Sequence, residues 1–152
     1  MTYKRILVPV DGSKTSKLGL REAIRLARGQ RAKLQLVHVV DQHYVLMSAP
    51  EAGMQIGAVM RSLRDSGRRV LRHAAALVKR NRLSCTSVLL ETMTGPAADP
   101  IVRQARKGRA ELIVIGTHGR RGLRRLVMGS DAEQIVRASP VPVMLVRGKA
   151  RR

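Results

Sequence analysis

Two stretches of the chain combine residue types that could bind a phosphate group. The first apolar run, Ile6–Val10, is followed by Asp-Gly-Ser at residues 11–13, which places a carboxylate and a hydroxyl at a turn. The second stretch, residues 116–130, is rich in glycine and ends in Gly129-Ser130. Glycine permits close backbone approach, and the free amides of a helix N-terminus bind anions. We predict that Gly129 and Ser130 open a helix and hold a phosphate there, with the arginine pairs at 120–121 and 124–125 adding positive charge.

The same residues could instead have purely structural roles. The glycine-rich stretch could be a plain connection between a strand and a helix. Asp11 could cap the first helix or stabilise its turn rather than contact a ligand. Ser130 could be a helix N-cap, and that role is compatible with phosphate binding. The residues alone leave each of these alternatives open.

Short apolar runs alternate with helical patterns along the whole chain. The runs lie at residues 6–10, 34–40, 86–90, 112–115 and 141–146. Near-continuous apolar runs of this length are typical of parallel strands that are covered on both faces. The order predicts an α/β fold with one parallel sheet, helices on both faces and right-handed crossovers. Pro142 predicts an edge position for the fifth strand, because proline cannot donate to a ladder.

Four helices are predicted between the strands. The second spans about residues 51 to 82, the third follows Gly95-Pro96 with Pro96 in its first turn, and the fourth runs from near Ser130 to Ser139-Pro140. Residues 41–56 are predicted to be an irregular connection. The predicted inward-facing residues are, helix by helix, Leu20, Ala23, Ile24 and Ala27; Met60, Leu63, Val70, Ala74 and Leu77; Ile101, Val102 and Ala105; Ala132, Ile135 and Val136. The first helix also has a basic face of Lys17, Arg21, Arg25 and Arg28.

Composition narrows the class of protein. A chain of 152 residues is the size of one domain, and its hydrophobic share of 44% predicts a globular core. The aromatic share of 1% argues against a site that stacks bases on several rings. The net charge of +20 predicts attraction to phosphates, nucleic acid, anionic lipid or acidic proteins. No apolar run is long enough for a signal peptide or membrane span, so we expect a cytoplasmic protein without a membrane partner.

Metal binding and catalysis have little support in the sequence. The four histidines, at positions 38, 43, 73 and 118, show no metal-ligand spacing with one another or with Cys85. Cys85 is expected to be a small buried apolar side chain, and the methionines at 47, 54 and 60 are expected to pack the second helix. The phosphate-binding pattern G-x4-G-K-[ST] is missing. We therefore predict no enzyme, with slow ATP hydrolysis conceivable only as a side activity.

Three segments in this order resemble the universal stress protein family. They are Ile-Leu-Val-Pro-Val-Asp-Gly-Ser at 6–13, the spacing Gly116-x2-Gly119-x9-Gly129-Ser130 that follows Leu-Ile-Val-Ile at 112–115, and Ser-Pro-Val-Pro-Val at 139–143. The resemblance extends from about residue 3 to residue 147. We predict a family domain over residues 1–147 and a disordered basic tail over residues 148–152.

The resemblance implies a Rossmann-like sheet of order 3-2-1-4-5, of the adenine nucleotide alpha hydrolase type, and an adenine nucleotide between strands 1 and 4. It places Asp11, with Pro9 and Val10, by the adenine and ribose, and the backbone of Val39 and Val40 at the adenine edge. The remaining implied ligand-binding positions flank the ribose and phosphates; they are Gly116, His118, Gly119, Arg120, Gly129, Ser130 and Asp131. It also implies a homodimer through the fifth strand, Val141–Val146.

Asp131 departs from the usual family pattern, in which a small apolar or hydroxyl residue follows Gly-Ser. A carboxylate in the first helical turn complements the helix dipole but would repel a triphosphate. This argues against tight ATP binding more than against AMP or ADP binding, and Asp11 could face a Mg²⁺ bound with the nucleotide. We therefore expect a regulatory stress-response protein that binds ATP, ADP or AMP. The alternative is a nucleotide-free dimeric scaffold whose basic faces bind nucleic acid or acidic partners without base selectivity.

Overall fold

Five strands and four long helices alternate in the computed structural model, which describes residues 2–43, 45–47, 55–117 and 129–148. The strands are β1 (Arg5–Pro9), β2 (Lys33–Asp41), β3 (Cys85–Thr92), β4 (Leu112–Gly116) and β5 (Val143–Val146). The helices are α1 (Lys14–Gln30), α2 (Ile56–Arg80), α3 (Ala98–Lys107) and α4 (Ser130–Ala138). His43 and residues 45–47 are also helical, so the predicted irregular connection over 41–56 is wrong in part.

All strands are parallel, and they lie in the order β3-β2-β1-β4-β5. The predicted α/β class and strand order are therefore confirmed. β5 lies at one edge of the sheet, as Pro142 indicated, but the strand begins at Val143 and not at Val141. The carbonyl of Pro142 still accepts a hydrogen bond from the Ile113 amide at 3.0 Å, so the proline adjoins the ladder without donating to it.

Helices cover both faces of the sheet. Successive residues of a strand point to opposite faces, so the apolar runs supply buried side chains to both. Ile6 and Val8 belong to the core under α1 and α2, whereas Leu7 belongs to the core under α3 and α4. All four residues predicted to face inward on the first helix are buried, as are the three on the third. On α4, Ala132 and Ile135 are buried, but Val136 is 42% exposed. Val136 lies just beyond the narrow buried stripe of this short helix.

The second helix differs from its prediction in both extent and orientation. It begins at Ile56, because Gln55 has a non-helical ψ of 87°, and residues 51–54 lie outside the described part of the chain. Its buried residues are Met60, Gly67, Leu71, Ala74 and Val78, whereas the predicted Leu63, Val70 and Leu77 are half-buried. The orientation follows from Gly67: a Cβ there would lie 2.7 Å from carbons of His38 and Leu89, so the helix approaches the sheet most closely at this glycine.

Two other local expectations are wrong. Pro96 lies before α3, whose N-cap is Ala97. The proline in the first turn is Pro100, and it is tolerated there because the amides of a first turn have no carbonyl acceptor within the helix. Met47 is 69% exposed, although Met60 packs the core as expected and Met54 lies outside the described residues. Among the described residues, no helix has the length and apolarity to span a membrane.

Candidate functional site

The turn between β1 and α1 is built by short polar side chains. The carboxylate of Asp11 accepts a hydrogen bond from the Ser13 amide at 2.8 Å, and the Asp11 amide donates to the Ser16 hydroxyl at 3.1 Å. Gly12 has a φ of 82°, which explains the glycine at this position. Ser13 is the helix N-cap, since its hydroxyl accepts from the Ser16 amide. Asp11 is therefore a turn-stabilising residue and not the cap, and its half-buried position leaves ligand contact open.

Gly116, at the carboxyl end of β4, is required by packing. A Cβ at this position would lie 2.5 Å from the Thr15 carbonyl oxygen and 3.0 Å from the Ser16 nitrogen, both backbone atoms of α1. The first turn of α1 thus lies directly against the end of β4. This contact brings Asp11 and Gly116 to the same end of the sheet. It also gives Gly116 a structural role that the glycine spacing did not indicate.

The N-terminus of α4 is attached to the end of β4. The Gly129 amide donates to the Thr117 carbonyl at 2.8 Å, and the Thr117 amide donates to the Val146 carbonyl at 3.0 Å. Gly129 is the N-cap and Ser130 is the first helical residue, so the N-cap alternative for Ser130 is wrong. The N-cap, Gly129, has no side chain with which to cap this helix. Amides of its first turn are therefore directed toward the same edge as the β1 turn, with Asp131 and Glu133 as acidic first-turn residues.

A gap between β1 and β4 lies at this edge. Within the described residues, their ladder pairs Ile6 with Leu112 and Leu7 with Ile113 and extends no further. Beyond these pairs, β1 stays beside β2 through Pro9 and Val10, and the chain then turns into α1 at residues 11–13. Ligands of open α/β sheets bind at such a switch point, where neighbouring connections leave the sheet on opposite faces. The crevice is the candidate site.

The end of β2 forms the other side of the crevice. The Val10 amide donates to the Val37 carbonyl at 2.8 Å, which keeps β2 beside β1 up to the turn. Val39 is half-buried and Val40 is buried, two to three residues further along β2. The structure therefore brings Pro9, Val10, Val39 and Val40 to one end of two adjacent strands.

The predicted site residues divide into two groups. Nine of them lie at the carboxyl ends of β1, β2 and β4 or at the start of α4, and thus on one edge of the sheet: Pro9, Val10, Asp11, Val39, Val40, Gly116, Gly129, Ser130 and Asp131. The other three, His118, Gly119 and Arg120, lie outside the described residues. No ligand contact is assigned to them from the structure.

His38 was missed as a residue of this region. Its side chain is buried, and its Nδ1 lies 2.7 Å from the Val10 carbonyl oxygen, so the ring donates a hydrogen bond to the end of β1. No local pattern predicts this contact, because His38 and Val10 are 28 positions apart in the chain.

A polar cluster at the ends of β2 and β3 was also missed. Arg64 donates from Nε and Nη2 to the two carboxylate oxygens of Glu91, at 2.6 and 3.0 Å, and Gln42 donates to the same carboxylate. The hydrogen bonds from Arg64 hold the pKa of Glu91 below its usual value. Arg64 and Glu91 are 27 positions apart, so no local sequence pattern pairs them.

The remaining titratable groups do not form a metal centre among the described residues, where no cluster of three His, Cys, Asp or Glu side chains has suitable geometry. Cys85 is at the start of β3 and is half-buried. Burial raises the pKa of its thiol. This agrees with a packing role for Cys85.

Residues 2–147 match the model of the universal stress protein family. The chain belongs to this family. Among its relatives, a universal stress protein of Methanocaldococcus jannaschii is 30% identical over 95% of this chain and 82% of its own length. The universal stress protein YxiE of Bacillus subtilis is 29% identical over 95% of this chain and 99% of its own length.

Solved structures of the family share the fold. A universal stress protein from Burkholderia pseudomallei superposes with a TM-score of 0.77 at 33% identity, covering 95% of this chain and 96% of its own. An Archaeoglobus fulgidus protein in complex with dAMP has a TM-score of 0.67 at 24% identity, over 96% and 99% of the two chains. An Arabidopsis thaliana family protein with AMP bound has a TM-score of 0.69 at 19% identity, over 97% and 93%.

Proposed function

We propose that this universal stress protein binds an adenine nucleotide in the crevice between β1 and β4 and acts as a regulatory protein of the stress response. The observation that supports this most is the convergence of the β1 turn, the end of β4 and the N-terminus of α4 at one edge. The Gly129 to Thr117 hydrogen bond fixes the last two elements together. Structures of the same fold that contain AMP or dAMP support an adenine nucleotide as the ligand.

The chain's own residues fit a phosphate at the start of α4. The N-cap Gly129 has no side chain to cover the first-turn amides, and Ser130, which carries a hydroxyl, is the first helical residue. We propose that these groups and Gly129 hold the phosphate, with Gly116, His118, Gly119 and Arg120 flanking the ribose and phosphates. Asp11, Pro9 and Val10 would border the adenine and ribose, and the backbone of Val39 and Val40 the adenine edge. We propose that the Asp11 carboxylate holds an accompanying Mg²⁺.

Asp131 bears on which nucleotide is preferred. Its carboxylate is in the first turn of α4, where the helix N-terminus stabilises negative charge from either a side chain or a phosphate. The Asp131 carboxylate and a bound phosphate therefore share the stabilisation by one helix N-terminus and repel each other. This repulsion grows with the number of phosphate charges on the nucleotide. We propose that AMP and ADP bind more tightly than ATP, and that ATP hydrolysis is not the main role.

The edge strand β5 supports a homodimer. Leu145 is 37% exposed on this strand, and Val136 of the neighbouring α4 is 42% exposed. We propose pairing of two copies through Val141–Val146, which would cover these side chains and the open strand edge. Residues 1–147 would form the domain and residues 148–152 a basic tail. A cytoplasmic location stays a prediction from the sequence. Sedimentation equilibrium measures the oligomeric state directly.

Titration calorimetry with AMP, ADP and ATP, each with and without Mg²⁺, tests the nucleotide site. We expect the unmodified protein to bind AMP, and Asp131→Asn to tighten ATP binding about two- to fivefold, with a smaller effect on AMP. This range corresponds to the about 0.3–1 kcal/mol by which a charge interacts with a helix terminus. Nucleotide released from the freshly purified, denatured protein and identified by mass spectrometry gives an independent check.

Asp99→Asn is the matched control, because Asp99 is an exposed carboxylate in the first turn of α3. This helix follows the edge strand β3, which β2 separates from β1 and the crevice. It removes the same charge and should leave nucleotide affinity unchanged. The site assignment is wrong if the two variants change ATP affinity equally. The proposed function is wrong if the unmodified protein carries no nucleotide and binds none at millimolar concentration.

A further inference from the structure

A groove of about 450 Å³ lies between α1 and α2, on the face of the sheet that these two helices cover. Its walls and floor are formed by Arg21, Ile24, Arg25 and Arg28 of α1, with Leu77 from α2 and Asn81 just after it. Ile24 is buried and Leu77 half-buried, so the floor is apolar, whereas the three arginines are exposed along one rim. The groove reaches Arg28 and Asn81 at the C-terminal ends of α1 and α2, which lie at the opposite edge of the sheet from the crevice between β1 and β4.

The positive charge of this rim is largely uncompensated. Arg25 pairs with Glu22 at 2.5 Å, but its side chain remains 78% exposed, and exposed pairs of this type contribute little. Within the described ranges, neither Arg21 nor Arg28 forms an ion pair. The whole chain carries a net charge of +20. An anionic partner would therefore meet free guanidinium groups here without first displacing strong internal partners.

The spacing of the cations suits a chain of regularly repeated negative charges. Arg21, Arg25 and Arg28 are at positions i, i+4 and i+7 of one helix, so they follow the groove over about 10 Å. Lys17, one turn earlier on the same exposed face, extends this line to about 16 Å. The planar guanidinium group donates two parallel hydrogen bonds to phosphate oxygens, which lysine cannot do.

The floor of the groove distinguishes between possible polyanions. An acidic helical peptide would need a continuous apolar strip to dock its own apolar side chains, and the floor offers two aliphatic residues, Ile24 and Leu77. None of the described residues that line the groove is aromatic, so they offer no ring on which a base could stack. These features favour recognition of a phosphodiester backbone by charge, without selectivity for the base sequence.

We propose that the α1–α2 groove is a docking surface for single-stranded nucleic acid, whose sugar–phosphate backbone lies along Lys17, Arg21, Arg25 and Arg28. The groove is separate from the nucleotide site, so this binding does not depend on the proposed function. Affinity depends steeply on salt, and oligonucleotides of different sequence bind alike.

The test compares two triple variants that remove the same number of positive charges. The groove variant is Arg21→Gln with Arg25→Gln and Arg28→Gln. The control variant is Arg103→Gln with Arg106→Gln and Lys107→Gln, three exposed cations of α3 on the opposite face of the sheet. Glutamine is a good helix former, so both variants should fold; far-UV circular dichroism and thermal unfolding verify this. The probe is a fluorescein-labelled 20-nucleotide oligouridylate, followed by fluorescence anisotropy between about 50 and 200 mM salt.

We expect the groove variant to bind the oligouridylate about tenfold or more weakly than the unmodified protein at about 100 mM salt. Loss of three phosphate contacts should also reduce the slope of log affinity against log salt by about 2. The control variant should change both quantities much less. Equal losses in the two variants would show that binding follows total charge and not the groove, and would overturn the proposal.

Two further results would also overturn it. One is a failure of the unmodified protein to bind the oligouridylate at about 100 mM salt. The other is displacement of the oligouridylate by polyglutamate at equal charge concentration, because the groove would then accept acidic polypeptides as readily as a phosphodiester chain. Failure of the AMP titration affects none of these readouts, so the two proposals are tested separately.

Discussion

Gly116→Ala should destabilise the protein strongly, although it adds a single methyl group to a buried strand. The new Cβ would lie 2.5 Å from the carbonyl oxygen and 2.6 Å from the carbonyl carbon of Thr15, and 3.0 Å from the Ser16 nitrogen. All three are backbone atoms of the first turn of α1, so no side chain can rotate away. The first turn of α1 or the end of β4 would have to move.

The size of the effect follows from this geometry. Overpacking a core costs about 1–3 kcal/mol, and the upper end applies here because the obstacle is backbone. A loss of about 3 kcal/mol lowers the midpoint of thermal unfolding by about 6–12 °C in a domain of this length. Because the same turn carries Asp11 and Ser13, displacement of α1 should also weaken AMP binding.

Gly29→Ala is the matched control. Gly29 is in the last turn of α1, and a Cβ there would meet no atom within 4 Å. This change should stabilise the protein by about 0.5–1 kcal/mol, because alanine is the better helix former. Differential scanning calorimetry of both variants measures the difference. A Gly116→Ala midpoint within about 2 °C of the unmodified protein would refute the argument that Gly116 is required by packing.

Two further predictions concern titratable side chains. The hydrogen bonds from Arg64 lower the pKa of Glu91 from its usual 4.5, so the stability that this pair contributes is present above that pH and is lost as the pH falls through the lowered pKa. Urea unfolding should therefore show Arg64→Gln less stable than the unmodified protein at pH 6, with the difference closing as the pH falls through the lowered pKa of Glu91. Arg61→Gln, at an exposed cation of the same helix, should show no such pH dependence. Burial raises the pKa of the Cys85 thiol, so iodoacetamide should alkylate it more slowly at pH 8 than it alkylates glutathione. Urea should remove this protection, and an equal rate in the native protein would contradict the half-buried position.

Much of the fold could be predicted from local patterns. The apolar runs located all five strands, and the helical stripes of α1 and α3 were correct residue by residue, because periodic burial is written directly into the sequence. The strand order came from the resemblance to universal stress proteins, and the sheet confirms it. The orientation of α2 could not be predicted, since it depends on the close approach of Gly67 to His38 and Leu89 from two different strands.

The candidate site was predictable in its composition but not in its contacts. Turn and glycine signals identified Asp11, Gly116, Gly129 and Ser130, and these four residues are at the switch point of the sheet. The signals could not tell the N-cap from the first helical residue, and the structure gives these positions to Gly129 and Ser130. They also could not reveal that Gly116 is required by the backbone of α1.

The sequence by itself determined the order of strands and long helices, the α/β class and the positive charge, because these depend on residue type and on neighbours within a few positions. Only the tertiary structure decided the contacts between residues distant in the chain. The hydrogen bond from His38 to Val10, the pairing of Arg64 with Glu91 and the groove between α1 and α2 are of this kind. Each depends on how far apart and at what angle two elements pack, and that geometry is set by the whole core rather than by any local pattern.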